Sequence, residues 1–597
     1  MKYRICILLI IAVTSVSGQS SSEIYKKIQK LNTLGSVLYV AAHPDDENTR
    51  LISLFSNQYN YNTAYLSITR GDGGQNLIGT ELRESLGLIR TQELLEARKI
   101  DGGQQFFTTA NDFGYSKHPD ETLEIWNKNE VLAQIVFRIR AFKPDIIINR
   151  FDHRTPGSTH GHHSSSAILS EIAFSLAANP KAYPEQLNDV AIWQPTRQFY
   201  NTSWWAYGSR EKFKNADKSN MITLESNPIN NLLGRSNAEI ASKSRSQHKS
   251  QGFGSSPGLG SQEEYLELIN GSIPNKNNPF QGIDTNWSRV KAGKAIGLLI
   301  EEVLADFNFE KPYESIQQLL KIHSEIKALK SGHWRTVKLK EVTNLVQYCL
   351  GLRLQFNTSK PTGVANTVTK ITLKALNPSP VKVSIEKIVG AVNLDIKQSL
   401  SENKAWQESM SILLPKVKTT PYWLIEKGDI GNYKVSNPDL KGLAETPNPI
   451  QAIFELNVDG NIFFINVPLT YRSTDRVKGE VVENFQLVPK ITTQINERVI
   501  LFKENTPKKV SLIVTSHTEN LKGSVTLLTP KYWKINPTSQ DFDIPMAEVS
   551  REFFFEVTPP EGNTIGLFTS LVNQGDQNYN MQLNEISYPH ISKQYLL

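Results

Sequence analysis

The chain carries His43-Pro44-Asp45-Asp46-Glu47 directly after the apolar run Val37–Ala42, which reads as a buried strand, and before a helix-like segment, Asn48 to Leu54. Charged groups beside a core are costly unless they are paired or bind a metal. Strand ends are where open α/β sheets bind ligands. A metal accounts for the composition. His43 and Asp46 can converge on one ion across the turn, and Asp45 is then free to act on a bound water.

Two ligands do not complete a site. A second cluster, His160-Gly161-His162-His163, again follows an apolar strand, Asp145–Asn149, and precedes a helix-like run from Ser164 to Ala178. Three of the chain's eleven histidines fall within these four residues. A surface histidine tract or a histidine helix cap would need no partner at a second strand end, whereas a shared metal would. Two histidines and one aspartate are the ligand type and number of an open catalytic zinc site.

These blocks resemble the signature of the PIG-L (LmbE-like) zinc-dependent de-N-acetylases, an A-H-P-D-D-E block with a later H-x-x-H. Here they stand at Ala42 to Glu47 and His160 to His163. The likeness spans roughly residues 30–300. It implies His43, Asp46 and His163 as zinc ligands and Asp45 as general base. It also implies that His160 polarises the acyl oxygen or protonates the amine. The family often has Pro-Asp between the two histidines. This chain has Gly161-His162, which leaves the third ligand open between His162 and His163. Arg90-Thr91-Gln92-Glu93-Leu94 resembles the family's R-x-x-E-L, implying that Arg90 faces substrate; an exposed helix pair is the plainer reading. Asp112, in Asn111-Asp112-Phe113-Gly114, stands where the family has a sugar-binding aspartate, although a turn aspartate would look the same. Thr69 to Gly74 closes a strand with glycines that would let backbone approach a ligand, and His248 to Gln251 resembles a further short family segment.

The elements that position these residues follow from periodicity. Strands are expected at 37–42, 64–69, 104–108, 145–149 and 197–200, with helices at 81–100 and 129–142 between them. This alternation predicts an α/β catalytic domain, about residues 19–310, on a Rossmann-like, mainly parallel sheet. Both histidine clusters then share one sheet edge. Residues 206–290 are rich in Ser, Asn and Gly and read as loops around the site. Helices at 292–307, 313–330 and 338–350 lead through a helical connector, 311–354. Period-2 alternation follows, with an Asp459-Gly460 hairpin signal, and predicts two all-β sandwiches at about 355–482 and 483–597 that add no metal ligand.

Composition narrows the class. With 597 residues the chain exceeds one core, and 39% hydrophobic with 21% charged residues is globular and soluble. The net charge of +6 is not gathered into a basic stretch with aromatics, so no nucleic-acid partner is expected. Lys2 and Arg4, the apolar Ile5 to Val16 and the small residues Ser15 to Gly18 read as a signal peptide, 1–18, hence an exported protein, periplasmic or extracellular. No later run is long enough for a transmembrane segment. The two cysteines are Cys6, lost with the signal, and Cys349, so no intrachain disulfide and no lipid-anchored cysteine are expected.

Two functions remain. The first is an exported zinc-dependent hydrolase that removes an N-acetyl group from an N-acetylglucosamine-type amino sugar or glycan. The second is a carbohydrate-binding or adhesion protein on the same fold, with aromatics such as Trp204-Trp205 stacking on sugars. The complete set of ligands, base and second histidine favours the first. A zinc peptidase lacks its H-E-x-x-H helix here. Nothing in the sequence reads out the oligomeric state.

Overall fold

A computed structural model describes residues 18–275 and 277–597. The signal peptide at 1–18 lies, except for Gly18, outside them. The first helix, α1 (Ser21–Leu31), opens on a capping box in which Ser20 and Glu23 satisfy each other's backbone amides. In chain order follow β1 (Ser36–Ala41), α2 (Thr49–Ser53), β2 (Asn62–Ser67), α3 (Glu84–Asp101), β3 (Gln104–Phe107), α4 (Pro119–Ile125), α5 (Lys128–Phe142), β4 (Ile146–Asn149) and α6 (Gly161–Leu176). Then come β5 (Arg197–Thr202), α7 (Arg210–Asn215), β6 (Met221–Glu225), the short pair β7 (Ile229–Asn230) and β8 (Arg235–Ser236), α8 (Asn237–Arg245) and β9 (Glu263–Asn270).

The main sheet has the order β3-β2-β1-β4-β5-β9-β6. Its first five strands are parallel, as helices on both faces require. β1 and β4 are hydrogen-bonded neighbours, with Val40 opposite Asn149, so the chain leaves both strands at one edge. There the two histidine clusters meet. The expectation of loops over 206–290 needs correcting, because β6 and β9 extend the sheet as antiparallel strands. Their signal is brief: only Ile222 and Leu224 alternate inward on β6.

α9 (Lys294–Asp306), α10 (Ile316–Ala328) and α11 (His333–Leu350) pack against α1 and the first β-module over one continuous core. In it Leu319 and Val346 share packing with Phe356 and Phe454. Cys349 is buried there, and burial pushes its thiol up to about 12. In that module the strands Gln451–Val458 and Asn461–Asp475 are joined through Asp459 and Gly460, both at positive φ, as a two-residue hairpin turn requires. A second sandwich, two four-stranded sheets between Ile491 and Tyr579, closes over its own core of Val510, Leu512, Phe542 and Phe555. No helix among the described residues is long and apolar enough to cross a membrane.

The β-modules also reach back to the sheet. An arm of the first one, residues 419–447, lies along β3 and beyond. Phe107 N donates to Gly442 O at 3.1 Å, Tyr433 N to Thr109 O at 2.8 Å and Asn111 N to Gly431 O at 2.8 Å. The arm thereby covers the open sheet edge. Fully buried Arg70, just after β2, donates to Leu443 O at 3.0 Å and Ala444 O at 3.1 Å, and lies over the Trp423 ring at 3.5 Å. A hairpin of strands Asn584–Ile586 and Gln594–Leu596 packs Ile586, Ile591 and Leu596 with Leu88 and Ile89 of α3.

Candidate metal centre

β1 ends at Ala41, and four residues separate its neighbour Ala42 from the turn's exit at Glu47. Within this turn Asp46 folds back on His43: its Oδ2 accepts from His43 N at 2.7 Å and lies 3.1 Å from Nδ1. Asp45 sits at φ +120°, which L-residues rarely adopt, so the turn is strained where it is most charged. Three neighbours hold it. Asp45 N donates to Glu47 Oε2 at 2.9 Å. The Tyr65 hydroxyl donates to His43 O. Arg90 donates to Pro44 O at 2.6 Å and Gly71 O at 3.0 Å, and its Nη2 pairs with Asp45 Oδ2 at 3.0 Å.

Glu47 is fully enclosed. It accepts from Arg98 at 3.1 Å and lies 2.8 Å from His248 Nε2. Burial would raise its carboxyl, but His248 and Arg98 bring it down to about 2, so a fixed charge anchors the turn from beneath. Burial raises Asp45 to about 6, against the pull of Arg90 and with the push of Asp46. Burial also opposes ionisation of Asp46, yet His163 and His43 hold it well below the carboxylate range.

The second cluster begins α6. His160 is its N-cap, with Nδ1 accepting from His162 N at 3.0 Å. His162 and His163 are adjacent in the first turn and therefore point apart. His162 is wholly buried, its ring 4.5 Å from Phe113 and 4.7 Å from Trp126, and its Nδ1 lies 3.0 Å from His43 Nε2. His163 stacks on Phe151 at 3.9 Å, lies 3.0 Å from Thr159 Oγ1 through Nδ1, and brings Nε2 to 3.6 Å from Asp46 Oδ1. Burial and His43, only partly countered by Asp46, lower His163 to about 4, which keeps the imidazole lone pair available.

Two triads can gather ligand atoms within 4.8 Å of one another: His43 with Asp46 and His163, and His43 with His160 and His162. The cleft distinguishes them. A hollow of about 430 Å³ is lined by His43, Asp45, Asp46, Arg90, Asp112, His160 and His163, whereas His162 lies behind its wall. The first triad combines two imidazoles and a carboxylate at an accessible surface. Its His163 has the far ring nitrogen held by a hydroxyl, as ligating histidines commonly do. This donor set fits a divalent metal with an open position.

All seven residues singled out from the sequence thus line one cleft. Arg90 does so with its guanidinium engaged by the turn. Asp112 Oδ2 lies 3.9 Å from His43 Nε2, and its Oδ1 accepts from Gly114 N at 3.0 Å. Sequence reasoning missed the support beneath them. Glu47 lies inside the recognised block, but its pairing with Arg98 and His248 joins residues far apart in the chain. Only the short segment at His248 hinted at it.

Residues 38–173 match the family model described as PIG-L, GlcNAc-PI de-N-acetylase. The matched stretch runs from β1 into α6 and contains every residue of the cleft's proposed machinery. Among solved structures, N,N'-diacetylchitobiose deacetylase from Pyrococcus horikoshii, complexed with its inhibitor MPG, is 18% identical over 36% of this chain and 70% of its own, with a TM-score of 0.26. Red sea bream transglutaminase is 12% identical over 44% of this chain and 33% of its own, with a TM-score of 0.18. Salmonella alpha-2-macroglobulin reacted with methylamine is 10% identical over 40% and 17%, with a TM-score of 0.15. No curated protein matches the chain.

Proposed function

We propose that the protein is an exported, zinc-dependent de-N-acetylase acting on an N-acetylglucosamine-type amino sugar or a glycan that carries one. The observation that carries this reading is the convergence of His43, Asp46 and His163 on an open cleft with Asp45 beside them. His43, Asp46 and His163 would hold the metal. When bound, zinc supplies Lewis acidity and makes water acidic enough to lose a proton near neutral pH. Asp45, fixed by Arg90 and shaped by a strained turn, is placed to take that proton. His160 lines the cleft with Nδ1 accepting from His162 N at 3.0 Å and Nε2 lying 3.4 Å from Ser116 N, and it would polarise an acyl oxygen or protonate the leaving amine. Asp112 and Arg90 flank the space a sugar would fill. Export rests on the basic start and apolar run of residues 2–16.

The test is acetate release from a panel of N-acetylated sugars by zinc-stripped and zinc-reloaded protein. Release only after reloading supports the reading. A folded, zinc-loaded protein that releases acetate from none of them would overturn it. Recovery of the protein inside the cell without loss of its leader would overturn export separately.

A further inference from the structure

The turn that builds the metal centre has a second side. His43, Asp45 and Asp46 face the first cleft, whereas Glu47, Asn48, Thr49 and Arg50 line a neighbouring chamber of about 550 Å³. Arg150 and Arg245 belong to both walls, so the two spaces adjoin. The chamber sits at the same sheet edge, between the turn after β5 and the start of β9. Each space is of the size that holds a small ligand.

The chamber's chemistry is specific. Trp204 and Trp205, on the turn after β5, stack at 4.4 Å, with the Arg210 guanidinium 5.3 Å from the Trp204 ring. Trp205 is 76% exposed, an aromatic face without a partner among the described residues other than Trp204. The same chamber is lined by fixed polar groups. Arg50 donates to Gln262 Oε1 at 2.7 Å and pairs with Glu264 at 2.6 Å, while Asn48 donates to Glu264 Oε2 at 2.7 Å. Glu263 and Glu264 offset two of the three guanidiniums of Arg50, Arg150 and Arg245, so the chamber is close to charge balance and does not select an anionic polymer. An exposed aromatic face beside nearly charge-balanced planar hydrogen-bonding groups suits a ligand with an apolar ring face and a rim of hydroxyls.

We propose that this chamber binds further sugar units of a glycan whose N-acetylated unit occupies the metal cleft, so that the substrate is an oligosaccharide chain and not a free monosaccharide. This rests on the de-N-acetylase reading. Trp205 is the platform, and the Arg50–Glu264 pair is the polar wall.

The experiment uses the full, zinc-loaded chain and β-1,4-linked N-acetylglucosamine oligomers of one to four units. In the parent protein kcat/KM for acetate release should rise about tenfold or more from monomer to tetramer, the factor that 1.4 kcal/mol of added binding provides. Trp205→Ala should keep monomer turnover and lose the gain, and Trp205→Phe should keep most of it. Tryptophan fluorescence titrated with the tetramer reads the chamber without turnover and should respond in the parent but not in Trp205→Ala. Equal kcat/KM for all lengths, or a Trp205→Ala variant with the parent's length dependence, overturns the proposal. A fluorescence response with no acetate from any oligomer overturns the deacetylase reading and leaves the chamber as a glycan site. No response overturns the chamber.

Discussion

His590 Nε2 lies 2.8 Å from Glu93 Oε1, although the two residues are 497 positions apart in the chain. Glu93 is a buried carboxylate of α3 that also accepts from Ser250 N at 2.7 Å and Ser250 Oγ at 2.6 Å. Ser250 Oγ in turn accepts from Gln251, a residue of the metal cleft. The final hairpin therefore touches the site at two removes.

His590→Ala should leave that carboxylate one donor short and destabilise the protein by about 1–3 kcal/mol. His590→Gln, which keeps a donor, should recover much of the loss. Urea titration of both variants checks this. An unchanged midpoint in His590→Ala would show that the contact contributes nothing to stability.

The arm along β3 makes a stronger claim. Trp423→Ala removes the ring beneath Arg70 and should cost about 3–5 kcal/mol. A chain cut near residue 350 would bare the β3 edge, strip Arg70 of its carbonyl partners and open the core shared by α10, α11 and the first sandwich. Such a fragment should therefore be insoluble or molten. A soluble, cooperatively melting fragment would refute this.

Asp45 and Asp46 are adjacent but differently placed, so their variants should separate. Asp45→Asn should keep its zinc and lose hydrolysis by about 10²–10⁴-fold, the usual worth of general-base help. Asp46→Asn should lose zinc. Metal content and acetate release, measured on both purified variants, decide the matter. Near-normal turnover in Asp45→Asn would remove it as base.

Asp72 gives a pH signature. Burial, reinforced by Asp112 and opposed by hydrogen bonds and Arg70, raises its carboxyl to about 7. An unfolded aspartate titrates near ~3.9. Between those values the native state binds the extra proton, so Asp72's contribution to stability is full below ~4 and is lost as pH rises to about 7. Asp72→Asn should abolish this slope. Melting temperatures of metal-free parent and variant from pH 4.5 to 7.5 test it, and a pH-independent difference between them would contradict it.

What the sequence disclosed follows from the kind of force involved. β1 and β4 are buried on both faces, so they appear as unbroken apolar runs, and the charges placed directly after them stand out. That His43 and Asp46 of this block come together with a histidine of the second cluster was legible from local geometry and family likeness. His162 and His163 were not separable, since neighbours in a helical turn differ only in what surrounds them: Trp126 and Phe113 for one, Phe151 and the cleft for the other. The arm on β3 was invisible for another reason. It is held to the edge by main-chain hydrogen bonds, which any sequence can make. β6 and β9 lay between these cases, with alternation too short to outweigh their polar surroundings.

The pairing of α3 with the hairpin near residue 590 also bears on how the protein comes into being. At about 5–20 residues per second, the ribosome makes His590 roughly 25–100 s after Glu93. Until His590 is made, Glu93 lacks one of its donors, and until residues 431–442 are made the β3 edge is uncovered, the features that invite wrong partners. The protein's vulnerable period is therefore set by the length of the chain that follows the site, and a nascent-chain chaperone would find its target on α3 and β3.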